Sequence, residues 1–66
     1  MGFRNKLKEY RKRRGMTQAE LASKSKVNRT TIAGLESGAV TVTTTETLLK
    51  LSRALEEPVT SIFFTK

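Results

Sequence analysis

The sequence predicts one all-α domain of five short helices, and three observations carry that expectation. Apolar residues recur at helical rather than strand spacing, helix start and stop signals follow one another closely, and 66 residues with 36% apolar content can fill only one core. The chain has no Cys and no His, so packing alone must hold that core. The same absence removes disulfides, thiolate nucleophiles and the commonest zinc ligands from consideration.

Phe3, Leu7 and Tyr10 stand at i, i+4 and i+7, Arg14 extends the stripe, and basic residues occupy most of the intervening positions. This is a first helix, with Gly15 suited to the left-handed residue that ends it. Thr17 and Glu20 have the spacing of a capping box, and Met16 and Leu21 flank it as a hydrophobic staple, so a second helix starts at Gln18. About eight residues later Asn28 supplies another N-cap, with Val27 and Ile32 at staple spacing. A third helix therefore runs from about Arg29 to Ser37 and stops at Gly38.

Residues 38–45 alternate small, β-branched and polar groups with no partner strand, which reads as a loop. Thr43 through Glu46 has the form of a further capping box. Beyond it Leu48, Leu51 and Leu55 make one helical stripe with Leu49 and Ala54 beside it, ended by Glu56-Glu57-Pro58. Pro58 suits the first position of a last short helix carrying Val59, Ile62 and Phe63. Ile62, Phe63 and Phe64 are consecutive large apolar residues, which one helical face cannot all bury, so the segment from about 58 to 66 is expected to form a homodimer seam.

Charge narrows the class of partner. Thirteen Lys and Arg against six acidic residues give +7 and a pI near 10.4, a balance that favours a polyanion. Residues 1–14 alone hold seven basic groups against Glu9. Tyr10 and the three Phe are too few to build stacking platforms for single strands or RNA. No apolar run approaches the roughly 20 residues of a membrane span, and the first residues have no signal-peptide core. A soluble, cytoplasmic protein with no membrane partner is expected. No Gly-rich phosphate loop, metal-ligand cluster or carboxylate pair suited to acid–base work is evident, so neither enzymatic activity nor a metal, cofactor or small-molecule effector is expected.

Two short helices joined by a tight turn, with a small residue in the first and an apolar pair in the second, describe a helix-turn-helix over about residues 17–37. The string Thr17-Gln18-Ala19-Glu20-Leu21-Ala22, then Val27-Asn28-Arg29-Thr30-Thr31-Ile32, then Leu35-Glu36-Ser37-Gly38 resembles the phage-repressor-like helix-turn-helix family of lambda repressor and Cro. The segments Thr47-Leu48-Leu49-Lys50-Leu51 and Pro58-Val59-Thr60-Ser61-Ile62-Phe63 are similar to that family's closing pattern, so the resemblance covers nearly the whole chain. It implies a sequence-specific transcriptional regulator, by default a repressor, that binds double-stranded DNA as a homodimer on an inverted repeat with helix 3 in the major groove.

Physical reasoning assigns the positions. If Leu21, Val27, Ile32 and Leu35 form the wedge between the paired helices, Arg29, Thr30, Ala33, Gly34 and Ser37 face outward, and Ala22 must stay small beneath the crossing helix. Arg29 can donate two hydrogen bonds to a guanine edge, a contact worth about 1–3 kcal/mol of discrimination; Thr30 can bond a base edge or meet a thymine methyl. Ala33 and Gly34 depart from the polar residues often found there in the family and offer apolar contact or close approach. Backbone phosphates are expected near Gln18, Asn28, Ser37, Thr43, Thr44 and Thr45, at or near helix starts and in the loop approach. Gln18 matches the family's backbone-contacting glutamine. The resemblance also implies that Arg11 pairs with Glu36. Lys26 stands where related sequences often have glycine, which costs a lysine roughly 1 kcal/mol if the backbone there is left-handed. Two rival readings are a protein-interaction module, such as an antitoxin or adaptor keeping this fold, and a binder of nucleic acid by charge alone.

Overall fold

The computed structural model describes residues 5–39 and 44–63. Its helices are α1 (Leu7–Arg13), α2 (Gln18–Ser25), α3 (Arg29–Ser37), α4 (Thr45–Leu55) and α5 (Val59–Phe63), and the described residues contain no strand. Local signals place most of the ends. Thr17 Oγ1 accepts from the Glu20 N–H at 3.0 Å while a Glu20 carboxylate oxygen accepts from the Thr17 N–H at 2.9 Å, a complete capping box. Asn28 Oδ1 accepts from the Thr30 N–H at 2.7 Å. Gly15 at φ 66° and Gly38 at φ 85° take the left-handed conformation after α1 and α3.

The start of α4 lies one residue later than the Thr43–Glu46 pattern implies. Thr44 is the cap, its Oγ1 accepting from the Thr47 N–H at 3.2 Å, and Glu46 instead pairs with Lys50 one turn on at 3.0 Å. The register follows from docking of Leu48, Leu51 and Leu55, which brings the Thr44 hydroxyl to the third N–H of the helix. Thr43 lies outside the described residues, as do Phe3 and Phe64.

Leu7, Leu21, Ile32, Leu35, Leu51, Leu55 and Ile62 are fully buried and form one core with Val27, Ala54 and Phe63. α2 packs on both α3 and α4, while α1 and α5 close the other side against α3, α4 and each other. Backbone and side-chain bonds fasten the chain's start to this arrangement. The Lys6 N–H donates to the Ile62 carbonyl at 2.8 Å, and the Asn5 amide donates to the Leu35 carbonyl at 2.9 Å while its oxygen caps the Leu7 N–H.

These contacts also show where two residues of the expected dimer seam lie within the chain, while Phe64 falls outside the described residues. Ile62 is 0% and Phe63 2% exposed, both within the chain's own core. α5 folds back beside α1, so the two side chains are covered within the chain. The buried polar side chains are also satisfied: Ser25 Oγ accepts from the Val27 N–H, Ser52 Oγ donates to the Leu49 carbonyl, and no described buried polar atom lacks a partner.

Candidate nucleic-acid interface

α2, the turn Lys26-Val27-Asn28 and α3 form the paired-helix unit. Leu21, Val27, Ile32 and Leu35 are all buried and make its seam, and the half-buried Ala22 packs against the same cluster. With 3.6 residues per turn, seating Ile32 and Leu35 turns Thr30 and Ser37 to the opposite side of α3. Arg29, Thr30 and Ser37 are exposed, and Ala33 and Gly34 are half-buried. The turn reaches this geometry with Lys26 at φ 64°, ψ 25°, so a lysine occupies the left-handed position that favours glycine.

Behind α3 lies an ionic cluster that ties three helices together. Arg11 Nε donates to Glu36 Oε2 at 2.7 Å and Arg11 Nη2 to Glu36 Oε1 at 3.0 Å, a two-pronged contact between side chains only 10% and 4% exposed. Arg11 Nη1 caps the Met16 carbonyl at 2.7 Å, and the Gln18 amide donates to Glu36 Oε1 at 3.1 Å. Burial works against ionisation of Glu36, but hydrogen bonds from Arg11 and Gln18 and the charges of Arg11 and Lys8 outweigh it and hold the carboxyl below its usual range. The hydrogen bond to Glu36 raises the Arg11 value in turn, against a smaller effect of burial. Glu20, bonded by the backbone and hydroxyl of Thr17, is likewise shifted down.

The structure thus brings Gln18 beside Glu36 rather than leaving it a bare surface amide, and one N–H of its Nε2 remains for another acceptor. Asn28 uses only its Oδ1 for the cap, so its amide N–H groups face outward unpaired. The Ser37 hydroxyl donates to the Gly34 carbonyl and accepts from the Ala39 N–H, which commits it to the α3 exit. Thr44 and Thr45 are exposed at the start of α4. Asn5, whose side chain joins the α1 start to the α3 end, escaped sequence reasoning because its partner is a carbonyl 30 residues away.

Every carboxylate side chain is engaged. Glu36 holds Arg11, Glu9 pairs with Arg13, Glu46 with Lys50, Glu56 and Glu57 flank Arg14 at 3.6 Å, and Glu20 serves the capping box. Among the described residues this leaves Lys6, Lys8 and Lys12 on or next to α1, Lys24, Lys26 and Arg29 around the turn, and Arg53 on α4 with no acid within 4 Å. Positive charge therefore persists around the exposed start of α3. Among the described residues no group of His, Cys, Asp or Glu could hold a metal ion, and no helix is long and apolar enough to cross a membrane.

A search of curated proteins returned no match. A family model described as helix-turn-helix matches residues 7–62, a span that begins at α1 and ends within α5. Its members are DNA-binding regulators and generally not enzymes. With the buried seam between α2 and α3 and the five-helix order, that match establishes that the chain belongs to the phage-repressor-like, Cro/C1-type helix-turn-helix family and is a DNA-binding regulator.

Proposed function

We propose that the chain is a sequence-specific repressor that binds an inverted-repeat operator as a homodimer, with α3 in the major groove of each half-site. One observation carries this reading: α3 seats Ile32 and Leu35 at 0% exposure and leaves Arg29 and Thr30 exposed. A helix anchored on one side and polar on the other can enter a groove as a rigid body.

In this reading Arg29 reads a guanine edge and Thr30 an adjacent base, while the small side chains of Ala33 and Gly34 let the helix approach thymine methyls closely. Gln18, Asn28, Thr44 and Thr45 grip phosphates near helix starts, where backbone N–H groups already attract anions. Thr43 is assigned the same role from sequence alone. Ser37, with its hydroxyl proton on Gly34, accepts the weakest assignment of the set. Two-fold pairing would place two copies of α3 about 34 Å apart, one turn of duplex. The segment from about 58 to 66 is the part of the chain assigned to that pairing from sequence, with Ile62 and Phe63 themselves seated in the core, and bound dimers would repress by occluding polymerase.

Selection of bound sites from a random duplex pool, combined with sedimentation of the purified protein, tests the reading. The expected result is an inverted repeat with a G in each half-site and two chains per site. Arg29→Ala should relax preference at one base pair per half-site, and equal loss on operator and scrambled duplex would contradict its role. If about six phosphates are neutralised per dimer, affinity should fall on the order of 10³-fold between 50 and 200 mM salt. Failure to enrich any sequence would overturn the sequence-specific repressor reading and favour a protein-interaction role or binding by charge alone.

A further inference from the structure

The six carboxylates do not neutralise α1 evenly, and the imbalance has a direction. Leu7 and Arg11 form the buried side of this helix, and the exposed Arg14 follows it at about the same angle just past the last turn. Arg14 leads toward the Glu56 and Glu57 carboxylates, and the neighbouring Lys6 N–H meets the Ile62 carbonyl, so that flank faces α5 and the end of α4. Arg13 lies on the outer side, paired with Glu9 and 5.0 Å from the Tyr10 ring centre.

The other flank adjoins Arg11, which reaches Glu36 at the end of α3 and the Met16 carbonyl just before α2. Lys8 and Lys12 project there together, one turn apart, both exposed and neither with an acid within 4 Å. Like charges at i and i+4 repel. Glu36 on this side already accepts from Arg11 and Gln18 through both oxygens, and Glu9, three residues before Lys12, is paired with Arg13. The charge of Lys8 is among those that favour the ionised form of Glu36, in keeping with its place on the Glu36 side of α1.

We infer that Lys8 and Lys12 form a phosphate-gripping edge that extends the contact of this domain along the duplex backbone beyond the groove occupied by α3. The inference rests on the DNA-binding reading above and adds to it a second row of contacts, on the flank of α1 next to Arg11, which shares the Glu36 acceptor with Gln18. The edge contributes affinity and no base preference, because it meets only phosphates.

The test is the salt dependence of affinity on the selected operator for the wild type, the Lys8→Ala/Lys12→Ala double variant and Lys6→Ala, whose charge lies away from Arg11. Each neutralised phosphate contributes about 0.9 to the slope of log affinity against log salt, so the double variant should lose about 1.8 per chain. From 50 to 200 mM salt, each wild-type chain should then lose about 12-fold more affinity than the variant. Base preference and melting temperature should not change, and Lys6→Ala should keep the wild-type slope. An unchanged slope in the double variant would overturn the inference. So would a Lys6→Ala slope as shallow per charge removed, or a fall in melting temperature that accounts for the weaker binding. If the wild type binds no duplex at all, the DNA-binding reading itself fails; if it binds and only the slope comparison fails, the α1 edge alone is wrong.

Discussion

Replacing Glu36 with Ala removes the acceptor on which Arg11 and Gln18 converge. The Arg11 side chain is 10% exposed and its Nε and Nη2 lose their bonds at 2.7 and 3.0 Å, leaving the Met16 carbonyl as the remaining partner. Stranding a buried charge in this way costs about 3–5 kcal/mol. A domain of this length has roughly 3–10 kcal/mol of total stability at about 0.05–0.15 kcal/mol per residue. The substitution should therefore consume a third or more of it and lower the melting temperature by more than about 12 °C, at about 4–8 °C per kcal/mol. Urea unfolding followed by circular dichroism measures the loss, and a double-mutant cycle locates it. Arg11→Met combined with Glu36→Leu should recover much of the stability, since two packed apolar side chains leave no unpaired charge. A loss below about 1 kcal/mol for Glu36→Ala, or strict additivity in the cycle, would refute the argument that desolvation makes this pair interdependent.

Three other outcomes follow from the same geometry. Lys26→Gly should stabilise the fold by up to about 1 kcal/mol, since the position has φ 64°; a destabilised variant would mean that the lysine stem packs on the turn. Glu36 titrates lower in the folded chain than in the unfolded one, so its stabilisation is complete above about pH 4.3 and disappears as pH falls through the depressed folded value. The Arg11→Met/Glu36→Leu variant should show a flatter stability profile in acid, and parallel wild-type and variant profiles would contradict this. Ile62→Ala should cost about 2–5 kcal/mol through the cavity it leaves, measured by urea unfolding; weakened association of protomers at unchanged stability would instead mean that the side chain acts chiefly at a dimer contact.

The legible part of the fold is the part governed by neighbours in the chain. Thr17 with Glu20, and Asn28 with the α3 N–H groups, are encounters within three residues, so sequence spacing is enough to identify them. Gly15 and Gly38 mark their helix ends for the same reason. The α4 cap was displaced by one residue because two adjacent threonines can both serve, and the choice between them depends on where Leu48 and Leu51 dock. Ile62 and Phe63 read as interfacial because three bulky residues in a row exceed one helical face. Their burial depended on how closely α5 returns to α1, which the Lys6 to Ile62 backbone bond reveals.

For the candidate site the division is similar. Thr30 and Ser37 could be placed on the outer side of α3 from helical periodicity alone, because the positions of Ile32 and Leu35 determine which side is left over, whereas Arg29, three residues before Ile32, is exposed at the margin of that side as the first residue of the helix. The pairing of Arg11 with Glu36 came from family resemblance, since 25 residues separate the partners and no local rule connects them. Amino-acid order by itself thus determined the five helices, the caps of α2 and α3, the basic balance and the outward side of α3, because short-range sterics and helical spacing act within a few residues. Tertiary structure alone decided that Gln18 leans on Glu36, that Asn5 joins α1 to α3, that Lys26 accepts a left-handed backbone, and that unpaired cations gather on one flank of α1. Each of these depends on distances between segments remote in the chain, which only the packing of the whole core can set.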